Sequence, residues 1–226
     1  VGDAVGQMLA SAIGIAISPL PLIAVILMLA TPKGRANGIA FTAGWLVSLA
    51  ALVTVVVLAG SGGGASGDDD GPASWTLWLK LGLGVLFLLM GVKQWKGRPR
   101  EGHAAEPPGW MKAIDTFTPG KSAGLAAALA VANPKNLVLA VGGAVSIAAS
   151  TASTGGKTAA ALLMVLIASL CTLLPLGVYL LGGQKSAKVL GEWKAWMAAH
   201  NTAIMTTVLI ILGAKYIGDA ISGLAA

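Results

Sequence analysis

Long apolar runs separated by short clusters of charge make up most of this chain. A helix needs about 20 mainly apolar residues to cross the hydrocarbon core of a bilayer. Six stretches read as such spans: residues 5–30, 37–58, 74–91, 122–150, 158–181 and 196–216. The pattern predicts an all-α integral membrane protein with six transmembrane helices. Basic residues in the connections set the orientation. Lys33 and Arg35 lie between spans one and two. Lys93, Lys96, Arg98, Arg100, Lys112 and Lys121 lie between three and four, and Lys185, Lys188 and Lys194 between five and six. These connections are expected in the cytoplasm. The connection 60–71 carries Asp68, Asp69 and Asp70 and no Lys or Arg, and is expected outside. Lys157 alone lies between spans four and five. Both termini are then expected outside a bacterial inner membrane.

Composition agrees with this pattern. Hydrophobic residues make up 56% of the 226 and charged residues 11%, against about a quarter charged in soluble domains. The net charge of +6 sits in residues flanking the apolar runs, as membrane anchors do, so no nucleic acid partner is expected. The single cysteine, Cys171, excludes an internal disulfide. The first apolar run has no basic start of the signal-peptide type and reads as a retained span.

The two halves look alike. Ser18-Pro19 in span one matches Asn133-Pro134 in span four. Trp75 and Trp78 open span three as Trp193 and Trp196 open span six. The end of span three, Leu89-Met90-Gly91-Val92-Lys93, matches Ile211-Leu212-Gly213-Ala214-Lys215. Three spans per half force the second half to enter the membrane from the opposite side, which is an inverted repeat. The organisation read from this is a first repeat at 1–96, a cytoplasmic connector at 97–120 and a second repeat at 121–226.

Proline inside a helix removes a backbone hydrogen bond and clashes with the preceding turn, yet it suits the first position of a new helix. Ser and Asn are good caps just before it. Spans one and four are therefore expected to break at Ser18-Pro19 and Asn133-Pro134, with Pro21 adding to the first break. Asn136 stands at the matching place in the second. A half-helix start presents unpaired N–H groups and partial positive charge, which favour an anion. Lys135 adds a full charge, and an ionisable residue at that depth is a candidate for function. The candidate substrate-binding residues are Ser18, Pro19, Pro21, Asn133, Pro134, Lys135 and Asn136. Thr42, Ser48, Ser169, Lys215 and Asp219 form a second line. Lys215 and Asp219 are spaced to pair with each other, and Ser48 and Ser169 to bond between helices. Lys80, near Trp78, reads as an interfacial residue whose chain reaches toward water.

No carboxylate lies deep in a span, which disfavours a metal-cation or amine cargo. His103 and His200 lack metal-site spacing, and no nucleophile–base set or phosphate loop is visible. No enzyme activity, cofactor or metal is expected.

The run Ser18-Pro19-Leu20-Pro21-Leu22-Ile23, then Thr31-Pro32, Gly38-Ile39-Ala40-Phe41 and Gly44-Trp45, resembles the GAP family. So does Asn133-Pro134-Lys135-Asn136-Leu137. That family belongs to the lysine-exporter (LysE) superfamily, and its named members are glycopeptidolipid- and sulfolipid-addressing proteins of bacteria with waxy envelopes. The resemblance covers nearly the whole chain. It implies help in delivering a lipid to the outer envelope; with two half-helix starts and Lys135 suiting an anionic headgroup, the expectation is a transporter or flippase-like protein for an anionic lipid or glycolipid among membrane lipids. Two alternatives stay open. One is export of a small solute of amino-acid type. The other is a non-transporting scaffold whose connector docks a lipid synthase or exporter. A homodimer is compatible with either.

Overall fold

The computed structural model describes residues 2–62, 74–97 and 114–225. The loop with Asp68, Asp69 and Asp70, and most of the expected connector, lie outside the described residues. Within them the chain is helical and forms no strand.

The first apolar run forms two helices, α1 (Gly2–Ala16) and α2 (Pro19–Leu29), whose axes differ by 47°. A turn of 30–33 leads into α3 (Gly34–Gly62), and α4 spans Ser74–Lys96. The second half opens with α5 (Pro119–Ala127), capped by Thr118, and a π-helical turn over Ala128–Ala132. After a bend of 64° comes α6 (Pro134–Ala148). α7 (Thr154–Ala168) and α8 (Leu170–Leu181) differ in direction by 57°. The last helix is α9 (Ser186–Leu224).

Two features depart from the sequence reading. No break was read in span five, but it bends at Ser169. Pro175 lies six residues further on, inside α8. It has no N–H for the Cys171 carbonyl, and its ring crowds that carbonyl. In the turn before, Ser169 Oγ donates to Val165 O (2.7 Å) and Thr172 Oγ1 to Ser169 O (3.0 Å). Such back-bonds to the helix's own carbonyls favour bending. The sixth stretch also runs longer than 196–216. α9 has 39 residues, about 58 Å at 1.5 Å per residue, nearly twice a hydrocarbon core of about 30 Å.

Close approaches fix how the helices run. Leu77 lies on Gly223, Gly84 on Ile217 and Gly91 on Ile210, so α4 packs antiparallel on the second part of α9. The seam is tight because glycines face it. A Cβ on Gly213 would lie 2.7 Å from the Leu88 side chain and 3.0 Å from the Gly84 carbonyl, the small-residue packing common between membrane helices. Ser11 meets Gly143 and Gly14 meets Leu139, so α1 runs antiparallel to α6. Asn37 Nδ2 donates to Phe117 O, Gly44 abuts Ala123 and Gly60 abuts Ala148. α3 therefore runs parallel to α5 and α6. Each half's bent first span packs on the other half's second span.

Phe41, Trp45, Phe87 and Tyr216 are fully buried at the centre. Val47, Val55, Leu58, Leu89, Leu162, Leu166 and Leu174 are exposed on the outer faces of α3, α4, α7 and α8. An apolar core wrapped in an apolar exterior is what a bilayer solvent requires. Lys80 is buried, contrary to the interfacial reading. The register between Leu77–Gly223 and Gly84–Ile217 sets it against the turn of α9 that carries Asp219.

Candidate functional site

Both breaks have the same backbone form. Ser18 adopts φ −72°, ψ 119° and Asn133 φ −75°, ψ 114°. Each precedes a proline, whose Cδ drives the preceding residue out of the helical region. The two caps then behave differently. Asn133 Oδ1 caps its own helix by accepting from Lys135 N (3.2 Å). Ser18 makes no cap bond and turns to the other half of the protein instead.

There Ser18 Oγ accepts from Lys135 Nζ at 2.6 Å and donates to Asn136 Oδ1 at 2.9 Å. Asn136 Nδ2 donates in turn to Leu129 O (2.9 Å), inside the π turn. That turn is widened by one residue, with Asn133 N bonding Ala128 O, and so frees Leu129 O for a side chain. The chain Lys135–Ser18–Asn136–Leu129 stitches the two breaks together. Ser18 and Asn136 are buried, Lys135 and Asn133 half-buried, and Ala132 and Pro134 exposed. The ion pair of Lys215 with Asp219 lies elsewhere. The Lys135 ammonium is thus held by a neutral hydroxyl.

The helix starts contribute less than the sequence reading expected. Pro19, Pro21 and Pro134 have no N–H, and the Lys135 N–H is taken by Asn133. One first-turn main-chain donor remains at each break, on Leu20 and on Asn136. Positive charge at this site comes mainly from the side chain of Lys135, reinforced by two helix N-termini.

The second-line residues do not join this cluster. Lys215 Nζ pairs with Asp219 Oδ2 at 2.6 Å and lies 5.5 Å from the centre of the Tyr216 ring. Tyr216 OH shares a hydrogen bond with Ser11 Oγ (2.8 Å), and its ring stacks on Phe87. Ser11 precedes Ser18 by seven residues on the α1 side of the break, about 10 Å along a helix. Ser169 bonds within its own span, to Val165 O, rather than to another helix. Ser48 is half-buried on α3. Thr42 is buried and unpartnered. Sequence reasoning missed the part of Asn136 as the link to Leu129, and the Ser11–Tyr216 contact. Pro175 was the one available signal for the third bend.

Over the described residues, fold and site define a helical membrane protein in which two interrupted helices share one polar cluster around Lys135. The chain belongs to the family of Sap, the sulfolipid-1-addressing protein, whose family model matches residues 8–222. The family is of the lipid-addressing kind read from the Ser18-Pro19 and Asn133-Pro134 motifs. Comparison with curated proteins and with solved structures gives no match.

Proposed function

We propose that the protein is an inner-membrane exporter or flippase-like carrier for an anionic lipid or glycolipid, with the headgroup held at Lys135 between the two breaks. The observation that carries this reading is the Lys135 ammonium, half-buried at the break and bonded to Ser18 of the other half. An intramembrane lysine costs about 2.5–3.5 kcal/mol on insertion scales, and neutral Ser18 does not offset a full charge as an anion would. A sulfate, phosphate or carboxylate meets Lys135, the Ser18 hydroxyl and the remaining N–H groups of Leu20 and Asn136.

The inverted repeat is part of this proposal, and three features support it. The breaks share one backbone conformation. The matched Gly91 and Gly213 both lie in the α4–α9 seam, as a two-fold axis through that seam requires. The relative directions of α1, α3 and α6, and of α4 and α9, fit six alternating crossings, and the bends of 47°, 64° and 57° would let each broken span keep advancing. Rocking of the halves about the Ser18–Lys135 contact then gives alternating access, in the manner of the lysine-exporter superfamily.

Exposure of Ala132 and Pro134 on the outside of the bundle favours a lipid over a small solute. A headgroup with its acyl chains still in the bilayer reaches the Asn-Pro turn from the side. The protein performs no bond chemistry in this reading.

The test is the surface lipid profile of a deletion strain complemented with wild type or with Lys135→Ala at equal protein level. One anionic lipid is expected to disappear on deletion, to return with wild type and to stay absent with Lys135→Ala. Full restoration by Lys135→Ala sinks the headgroup site and favours a scaffold that docks a lipid synthase or exporter. No change on deletion turns attention to small-solute export.

A further inference from the structure

α3 carries buried polar atoms without a hydrogen-bond partner, and two of them, Thr42 Oγ1 and Trp45 Nε1, lie one turn apart. Thr42 is 3% exposed and Trp45 0%. A buried donor without a partner has given up its bonds to water and gained nothing in return, and native proteins keep few such groups. Two on neighbouring turns of one helix call for a reason.

Their place follows from register. Gly38 abuts Leu29, at the end of α2, and Leu176 of α8. Thr42 and Trp45 follow Gly38 by four and seven residues, so they share its helical face. α2 and α3 are joined by a short turn and run in opposite directions. Moving up α3 from Gly38 therefore means moving back along α2 from Leu29. Trp45 is about 10 Å above Gly38, level with Leu22, one turn from Ser18. Both unpartnered groups thus belong to the interior between α2, α3 and α8, on the Leu29 side of the Lys135–Ser18 bond.

We infer that the Thr42 hydroxyl and the Trp45 indole N–H are the uncharged part of the headgroup site, donating to hydroxyl or ether oxygens of a carbohydrate-bearing lipid. This inference rests on the lipid-carrier reading and gives its cargo a second chemical feature. Lys135 selects the anion. An indole N–H donates only, and without charge it suits a neutral oxygen. Ser18 is bonded to Lys135 and the Trp45 ring is enclosed. A headgroup that parts α2 from α3 supplies the acceptors both groups lack.

The test uses the full chain in phosphatidylcholine nanodiscs with three probes: 3-sulfogalactosylceramide, galactosylceramide and hexadecyl sulfate. Trp45→Phe and Thr42→Val keep shape and remove one donor each. Combined, they are expected to weaken binding of both galactolipids roughly tenfold, about 1.4 kcal/mol, and to leave hexadecyl sulfate unchanged. Their thermal midpoint is expected to hold or rise, since no native hydrogen bond is lost. Lys135→Gln is expected to weaken the two sulfated probes and spare galactosylceramide. If the double variant binds all three probes like wild type while Lys135→Gln loses the sulfated ones, this inference falls and the carrier reading stands. A lowered midpoint with unchanged binding also overturns it, because the two groups then serve the fold. Failure of wild type to bind any probe removes the carrier reading itself and this inference with it.

Discussion

Lys135 and Ser18 are 117 residues apart in the chain, yet their side chains meet at 2.6 Å. Each comes from the interruption of a different apolar run, so this one bond joins the halves at the point where both helices are weakest. The same hydroxyl also holds Asn136. A structural clasp and an anion site are therefore built from the same atoms, and the variants below separate the two roles.

Ser18→Ala leaves Asn136 Oδ1 buried with a partner removed and Lys135 without its acceptor. A buried polar group stranded in this way costs about 1–3 kcal/mol. Thermal unfolding in detergent is expected to show a clearly lower midpoint for Ser18→Ala than for wild type. An unchanged midpoint shows that the clasp does not hold the halves together.

Asn136→Asp places a carboxylate beside the Ser18–Lys135 bond. The ammonium then gains an internal counter-charge, and an anionic headgroup has to displace it. Binding of hexadecyl sulfate is expected to be lost while the thermal midpoint changes little, because the new ion pair offsets the bond surrendered by Leu129 O. Binding at wild-type strength places the anion elsewhere.

The α4–α9 seam tolerates no added bulk at Gly213. Gly213→Leu forces the side chain against Leu88 and the Gly84 carbonyl, and overpacking of this kind costs roughly 1–3 kcal/mol. Cysteines introduced at Leu77 and Gly223, which touch in the native fold, are expected to cross-link readily in an otherwise unchanged chain and poorly alongside Gly213→Leu. Equal cross-linking in both contradicts the register.

Pro175→Ala restores the N–H that the Cys171 carbonyl lacks. The 57° bend between α7 and α8 is expected to relax, lengthening the distance between spin labels at Thr158 and Leu180 by up to about 5 Å, the gain from straightening two helices of this length. A distance that stays fixed assigns the bend to tertiary packing rather than to proline.

Orientation is checked by thiol labelling of intact cells. Cys171 is buried and gives little background. A cysteine at Lys188 is expected to react only after permeabilisation, and one at Gly223 with an impermeant reagent from outside, as the basic connections require. The reverse pattern inverts the topology.

Much of this fold was legible in the sequence because a bilayer imposes simple rules. Length and apolarity mark a helix that can cross. Pro19 and Pro134 are local: each removes a donor and restricts its predecessor whatever surrounds it, so the two breaks could be read from dipeptides. The third bend falls at Ser169, six residues before Pro175, where nothing in the local sequence marks a boundary. The length of α9 was also hidden, since helical residues outside the bilayer carry the same polar pattern as a loop.

The sequence by itself determined the class of solvent, the helical content, the two proline breaks and the lysine beside one of them. All follow from hydropathy and backbone chemistry over a few residues. Only the tertiary structure decided that Ser18 leaves its own helix uncapped to hold Lys135 and Asn136, that Leu129 O is freed by a π turn to complete the chain, and that Thr42 and Trp45 remain unpartnered in the interior. These depend on which faces of distant helices meet. That is set by glycines and volumes along seams such as Gly84–Gly213, and no local pattern in the chain specifies it.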